Sequence, residues 1–213
     1  MTSSKKKAIK LINKFGILLV FPVNNSTDPK SLWSQLYPNT QMKWEWDEGG
    51  DQKVFKMWNL MKELSSCQEV VYSKWYRGRA TFFSRDLFTA FLALKIQRKW
   101  SHKESRQILD ELKANSPLST KDLKKITGLK GKLLESLYNK AMKELFENFD
   151  IVGFGEVEDG AFPSLAVGAS EVLYEDLFNE AKNISKEKAE IVIEQHMKNS
   201  SLLRKFYKKT RDK

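Results

Sequence analysis

SPLSTKDLKKITGLKGKLLESLYNKAMKELFENFDIVGFGEVEDGAFPSLAVG, residues 116–168, is the stretch that decides the fold of this chain. Its apolar pattern predicts a short helix over residues 119–127, a turn at Gly128 and a longer amphipathic helix over about residues 130–148. Two apolar runs then flank the polar turn at residues 158–160 and predict a β-hairpin. Helix, turn, helix and hairpin follow one another in a winged helix, an architecture that favours nucleic-acid binding as a class.

A similar order of elements precedes this stretch. Apolar residues predict a helix over residues 2–14, a buried strand over residues 17–21 and a further helix over residues 51–64. Another hairpin is predicted near residues 70–83, where β-branched and aromatic residues flank Gly78. The sequence therefore predicts an α+β fold, mostly helical, built of tandem winged-helix units in which helices are followed by a β-hairpin.

We expect the chain to contain three regions. Residues 1–100 form an N-terminal winged-helix-like unit with a basic hairpin, residues 101–169 a C-terminal winged helix, and residues 170–213 a helical extension with a basic tail. A single helix is predicted over residues 170–181. The tail, residues 204–213, is expected to fray, as chain ends commonly do. The alternative is an arm that becomes ordered on nucleic acid.

The composition argues against a membrane protein and against a secreted one. The longest apolar run, residues 17–21, ends at Pro22, well short of the roughly 20 residues that a membrane-spanning helix needs. The lysine-rich start lacks the apolar core of a signal peptide. The single cysteine, Cys67, cannot form an intrachain disulfide. A reducing, cytoplasmic compartment is therefore expected.

Charge is distributed unevenly along the 213 residues, whose formal net charge is +10. Residues 1–100 carry 17 Lys or Arg and 8 Asp or Glu, and residues 198–213 carry 7 and 1. Residues 151–197 instead carry 3 basic and 10 acidic side chains. The basic first half and tail favour attraction to phosphate backbones through counterion release, although a solvated lysine-rich surface would give the same count.

The hairpin around Gly78 combines positive charge with aromatic rings. Arginine binds a phosphate through two parallel hydrogen bonds, and an aromatic ring at a hairpin tip can stack on or wedge between bases. The alternative is an ordinary exposed hairpin whose charges protect its edge from aggregation. We favour a nucleic-acid-binding role for Lys74, Tyr76, Arg77, Arg79 and Arg85, with Trp75 interleaved among them.

The longer helix of the second unit presents polar side chains opposite its apolar stripe. Lys132, Asn139 and Lys140 are candidates to reach phosphates and base edges. Ser136 and Lys143 share this face. A solvated helix face is the alternative, and Glu135 and Glu144 would repel phosphates along part of the helix.

The tip of the second hairpin is acidic. Glu156, Glu158 and Asp159 lie where a wing would touch the nucleic-acid backbone, and their carboxylates would repel phosphates. We therefore expect the binding surface at the first hairpin, with the second unit as its scaffold.

Signals for catalysis are weak. His102 and His196 lie far apart, with no Cys or carboxylate at ligand spacing, so no metal or other cofactor is expected. Glu45 and Asp47, set between tryptophans, are weak candidates for a carboxylate that stabilises an oxocarbenium-like transition state, but a solvated or structural role is favoured. Burial in the core is favoured over a stacking role for four tryptophans: Trp33, Trp44, Trp46 and Trp58.

Several of these blocks occur in a recognisable order: Phe21-Pro22, Ser31-Leu32-Trp33, Trp44-Glu45-Trp46-Asp47, Lys74-Trp75, Arg77-Gly78-Arg79-Ala80-Thr81-Phe82-Phe83-Ser84, Ser116-Pro117-Leu118-Ser119-Thr120 and the hairpin at 151–168. This order resembles that of the AlkZ-related proteins, short bacterial-type relatives of the AlkZ glycosylases that act on interstrand DNA crosslinks. The resemblance covers nearly the whole chain. It implies tandem winged helices and binding to damaged or structured DNA.

The resemblance does not imply the glycosylase reaction. Those enzymes hold the catalytic water with a Gln-x-Gln motif, and this sequence has no such pair, because Gln35 and Gln41 are at the wrong spacing. The chain is also considerably shorter than those enzymes. We therefore expect the fold and DNA binding to carry over, and glycosylase activity not to.

Three hypotheses for the function follow, and whether the protein is an enzyme stays open. The first is a winged-helix DNA-binding protein without base-excision activity. The second is a DNA glycosylase acting on alkylated or crosslinked bases, with Glu45 or Asp47 in the catalytic role. The third is a protein-interaction module that uses the acidic face of residues 156–194 to meet a basic protein partner.

Overall fold

The computed structural model describes residues 2–43, 52–94, 100–158 and 163–211. The elements of the first unit, in chain order, are α1 (Ser3–Phe15), β1 (Ile17–Leu19), α2 (Leu32–Leu36), α3 (Gln52–Ser65), β2 (Val71–Ser73) and β3 (Thr81–Phe83). A connecting helix, α4 (Arg85–Ala93), follows.

The second unit repeats the order of the first: one helix, one strand, two helices and two strands. Its elements are α5 (Lys103–Asn115), β4 (Leu118–Ser119), α6 (Thr120–Ile126), α7 (Glu135–Glu147), β5 (Ile151–Val157) and β6 (Ser164–Ala169). A C-terminal extension completes the described chain with α8 (Ser170–Leu173), α9 (Glu175–Ala181), α10 (Lys186–Met197) and α11 (Ser201–Arg211). None of the helices in the described ranges is long and apolar enough to cross a membrane.

All six described strands belong to one antiparallel sheet in the order β1-β3-β2-β5-β6-β4. Each unit contributes three strands, and in each the third strand lies between the first and the second. The two hairpins meet where β2 pairs with β5, at Tyr72 and Gly153. The predicted α+β, mostly helical fold class with a hairpin in each half is confirmed.

The junction between the units depends on the absence of a side chain at Gly153. A Cβ atom at this position would lie 2.2 Å from the ring of Tyr72, which covers the strand. Tyr72 is fully buried, and this burial, together with nearby Glu156, raises the pKa of its hydroxyl group. The ring of Tyr72 thus packs over Gly153 where β2 pairs with β5.

The largest hydrophobic cluster contains side chains from the first unit, the second unit and the C-terminal extension. Trp75 lies within it: its ring is stacked on Phe149 at a centroid distance of 5.8 Å and meets the edge of Phe206 at 4.9 Å. Two further clusters lie between α1, α2 and α3, and between α5 and α7. Trp33, predicted to be buried, belongs to the first of these, whereas Trp58 is 44% exposed. Trp44 and Trp46 lie outside the described residues.

Three expectations about the helices are wrong in detail. The long helix of the second unit begins at Glu135 instead of near residue 130, because Gly131 takes a φ of 110° and the chain turns before the helix. The helix predicted over residues 170–181 is divided at Tyr174. The basic tail is helical as far as it is described: α11 continues to Arg211 with Leu203 and Tyr207 buried.

Candidate nucleic-acid interface

The loop after β2 is held in a tight turn. Arg77 and Gly78 both have positive φ angles, 53° and 72°. The N–H of Arg79 donates to the carbonyl of Tyr76 at 2.9 Å, and the Thr81 hydroxyl donates to the carbonyl of Arg79 at 2.8 Å. These bonds fix the loop so that the side chains of Arg77 and Arg79 remain exposed.

The two aromatic residues of this loop are not open to bases. Trp75 and Tyr76 are each 1% exposed. Phe206 of α11 covers both rings, with centroid distances of 4.9 Å and 5.1 Å. The guanidinium of Arg77 lies 5.3 Å from the centre of the Tyr76 ring, a cation–π contact. Tyr76 therefore supports an exposed arginine and does not offer a stacking surface of its own.

Lys74 differs from the other basic residues of this loop because most of its side chain is buried. Burial lowers the pKa of its ammonium group, since desolvation disfavours the charged form. Within the described part of the chain, its ammonium group has neither a carboxylate partner nor a hydrogen bond. A partly buried lysine without a partner is a candidate functional residue.

A cavity of about 440 Å³ lies between the first hairpin and the helices of the second unit. Its walls come from both units: Lys74, Gly78, Thr120, Lys124, Tyr138, Asn139, Met142, Lys143, Phe146 and Leu165. The cavity thus brings together Lys74 and Asn139, two predicted site residues that are far apart in the sequence.

Among the described residues, the lining of this cavity includes three lysines and no carboxylate. The ammonium of Lys124 donates to Glu135 at 2.7 Å and lies 4.7 Å from the centre of the Tyr138 ring. The hydrogen bond from Lys124 is the main reason that the pKa of Glu135 is lowered. Lys143 lies 3.8 Å from Glu147, one helical turn away, and because Lys143 itself is largely exposed such a pair contributes little. The cavity therefore presents a positively charged wall to any ligand.

The remaining predicted residues lie elsewhere. Arg85 donates to the carbonyl of Gln68 at 2.8 Å and forms an ion pair with Asp176, so its guanidinium contributes to packing of the extension. Lys132 is exposed in the turn before α7, and Lys140 is exposed on α7. Neither lines the cavity. Glu45 and Asp47 lie outside the described residues.

Neither Lys124 nor Tyr138 is among the predicted site residues. The spacing of Lys124 resembles that of any solvated lysine on a short helix. Only the packing of α6 and α7 opposite the first hairpin gives these two residues a common cavity with Lys74. The sequence contains no signal for this arrangement, since it depends on how the two units meet.

Many carboxylates of the acidic region after β5 form ion pairs within the protein. Five of its described carboxylates form ion pairs with basic side chains: Glu158 with Lys62, Glu171 with Lys113, Asp176 with Arg85, Glu190 with Arg211 and Glu194 with Arg204. This pairing reduces the negative charge that remains for a basic protein partner.

A second group of lysines surrounds a smaller cavity of about 350 Å³ between α1 and α10. The ammonium groups of Lys14 and Lys30 lie 5.5 Å and 4.5 Å from the centre of the Phe15 ring. His196 also lines this cavity, and its Nδ1 lies 3.2 Å from the carbonyl oxygen of Phe15. None of the predicted site residues that the structure describes lines it.

Comparison with known proteins gives a single result. The family described as AlkZ related matches residues 2–209, which is nearly the entire chain. No match was found among curated proteins or among solved structures. The blocks of sequence that resemble this family lie in both units, in keeping with a match of this extent. The chain belongs to the AlkZ-related family.

Proposed function

We propose that this protein binds DNA across the cavity between the first hairpin and helices α6 and α7. The observation that carries the proposal is the convergence of Lys74, Lys124 and Lys143, from two separate units, on one cavity whose described lining residues include no carboxylate. Ammonium groups in such an arrangement attract phosphates and release counterions when they bind them. The family relation, which links the chain to DNA-repair glycosylases, supports the same conclusion.

Both units, in this proposal, are winged helices. The support is that each has a helix, a strand, two helices and a hairpin, with the third strand between the other two. In such a fold the helix before the hairpin is the one that reads DNA. In the second unit this helix is α7, whose Asn139 and Lys143 line the cavity four residues apart. The exposed Arg77 and Arg79, on either side of Gly78, would contact the flanking backbone.

A titration of the full chain with a fluorescent duplex at several salt concentrations tests this proposal. We expect wild-type affinity to fall steeply with salt. The double variant Lys124→Met/Lys143→Met should bind more weakly and reduce the salt slope by about two units, since each phosphate contact contributes about 0.9.

A matched double variant, Lys186→Met/Lys188→Met, removes two exposed lysines of α10 that do not line the cavity. It should bind as the wild type does. Duplex affinity that is independent of salt, or an equal loss in both double variants, would exclude DNA binding at the cavity.

The proposal includes no base-excision activity, because the sequence lacks the Gln-x-Gln pair of the related glycosylases. A second candidate, suggested by the same family relation, is a glycosylase acting on alkylated or crosslinked bases. Release of a modified base from a panel of lesion-bearing oligonucleotides decides between the two. If a base is released, the variants Glu45→Gln and Asp47→Asn test whether either carboxylate has the catalytic role.

A further inference from the structure

Lys74 is the one cavity lysine whose described surroundings supply no carboxylate. Lys124 and Lys143 have Glu135 and Glu147 beside them, whereas Lys74 has neither an ion pair nor a hydrogen bond among the residues that the structure describes. Retaining a partly buried amine in this way costs folding free energy. Such a cost at a cavity wall indicates a chemical role for the amine beyond holding a phosphate, for which an exposed lysine would suffice.

The chemistry available to this amine is nucleophilic. A lysine becomes a nucleophile when its amine is neutral, and desolvation lowers the pKa of Lys74 in that direction. Of the residues that the structure describes, the other titratable groups that line the cavity are Lys124 on α6 and Tyr138 and Lys143 on α7. None of them is a carboxylate that would favour the ammonium form.

An electrophile that fits this cavity must combine a carbonyl group with neighbouring phosphates. A DNA strand that has lost one base provides both, because its deoxyribose opens to an aldehyde at C1′ and keeps a phosphate on each side. Without a base, the sugar is small enough for a cavity of about 440 Å³. Lys124 and Lys143 would hold the flanking phosphates, and the amide of Asn139 can hydrogen-bond to the sugar hydroxyl.

We propose that Lys74 forms a Schiff base with the C1′ aldehyde of an abasic site in bound DNA. The Nζ lone pair attacks C1′, and one proton moves from nitrogen to the aldehyde oxygen, which gives a carbinolamine. The second amine proton then passes to the hydroxyl group, which leaves as water as the C=N bond forms. Addition of water reverses the reaction, and neither an oxidant nor a reductant is consumed. This inference rests on the proposed DNA binding and adds a covalent step to it.

Trapping with cyanoborohydride tests this inference on the full chain. One duplex carries a single abasic site and a second carries a tetrahydrofuran analogue, which lacks the aldehyde. Reduction should give a covalent protein–DNA adduct with the first duplex only, and peptide mapping should place the linkage at Lys74.

The variant Lys74→Arg keeps the positive charge but cannot form the imine. At a concentration of abasic duplex that saturates both proteins, it should give at least about tenfold less adduct than the wild type. The control Lys188→Arg changes an exposed lysine of α10 outside the cavity and should leave the adduct yield unchanged.

The possible failures are distinguishable. An adduct that maps to another lysine, an equal yield in Lys74→Arg, or DNA binding without any adduct overturns the Schiff-base inference and leaves the proposed function standing. Failure to bind either duplex overturns both. Should Lys74→Arg not fold, the mapped position of the wild-type adduct still decides.

Discussion

His196 packs directly against the backbone of Gly16, at the end of α1. Its Nδ1 lies 3.2 Å from the carbonyl oxygen of Phe15, and Gly16 has a φ of 73°. A Cβ atom on Gly16 would lie 2.3 Å from Nδ1 of His196. Two independent constraints, the backbone conformation and the close ring, therefore require glycine here.

Replacing Gly16 with alanine should be costly for stability. We expect Gly16→Ala to lower the free energy of unfolding by about 2–4 kcal/mol, from the left-handed backbone together with the clash. Gly128→Ala is the matched control, because Gly128 has a φ of 68° but open space within 4 Å of the point where a Cβ atom would lie. It should cost only about 1 kcal/mol. Urea unfolding measures both, and equal losses would refute the steric role of His196.

The residue-level predictions succeeded or failed according to whether they depended on local chemistry. The turn at Gly78 follows from local backbone preferences, and it is present in the structure, where Gly78 has a positive φ angle. The expectation that Trp75 and Tyr76 would be accessible was wrong, since Phe206, far along the chain, covers both rings. An aromatic residue beside a turn is equally compatible with core and surface until the covering element is known.

Helices α5 and α7 are joined through the carboxylate of Glu144. It accepts hydrogen bonds from the backbone N–H of Ser101 at 2.7 Å and from the Ser105 hydroxyl at 2.5 Å, and so satisfies donors at the start of α5. Partial burial acts to raise the pKa of Glu144, but the hydrogen bonds from Ser105 and Ser101 outweigh it and lower that pKa. A residue that would repel phosphates thus has a structural role.

The variant Glu144→Gln should show a stability loss that depends on pH. Near pH 7 we expect a loss of about 1 kcal/mol, after allowance for solvent screening of this partly exposed group. Because the folded-state pKa lies below the unfolded value of about 4.3, the wild-type advantage is complete above that value and disappears as pH falls through the folded pKa. Urea unfolding at pH 7 and near pH 3 checks this. A difference that is the same at both pH values would contradict the role of the charged carboxylate.

At the scale of elements, hydrophobic periodicity predicted the helices and both hairpins, because each depends on a local pattern of apolar residues. The boundaries were harder to predict. The start of α7 depends on the backbone conformation at Gly131, and the order of α11 depends on Leu203 and Tyr207 finding the core built by other elements. The many basic side chains of the tail suggested a solvent-exposed segment, so the apolar face formed by Leu203 and Tyr207 was not recognised.

One sheet and one large hydrophobic cluster extend through both units of the molecule. β2 and β5 join the two hairpins, and the cluster includes Val71 and Phe83 of the first unit together with Phe149 and Val152 of the second. The extension contributes Tyr174, whose hydroxyl donates to the carbonyl of Val70 at 3.2 Å. The largest cluster is therefore shared by the two units and the extension.

We therefore expect the whole chain to unfold in one transition. Tryptophan fluorescence and far-UV circular dichroism should report the same urea midpoint, the usual sign of two-state behaviour. Gly153→Ala should shift both signals to lower urea together, because its methyl group would meet the Tyr72 ring at the junction. Two separate midpoints, or a shift of only one signal, would show that the units fold independently.

The cavity is the feature that sequence patterns could least predict. Its residues come from positions 74 to 165, and nothing local in the sequence specifies that the first hairpin faces α6 and α7. Sequence reasoning did name Lys74 and Asn139, since a lysine beside a basic turn and a polar residue on a helix face both suit DNA. It also named Arg85, whose partner Asp176 could not be foreseen at a separation of 91 positions along the chain.

The central claim, that DNA lies across the cavity between the two units, is tested most directly by measuring lysine reactivity with and without an intact duplex. Limiting acetylation followed by peptide mass spectrometry reports each lysine separately. The account predicts that DNA lowers the modification of Lys74, Lys124 and Lys143 several-fold, while Lys186 and Lys188 on α10 react equally in both samples. Unchanged reactivity of the three cavity lysines in a sample that binds DNA would contradict it.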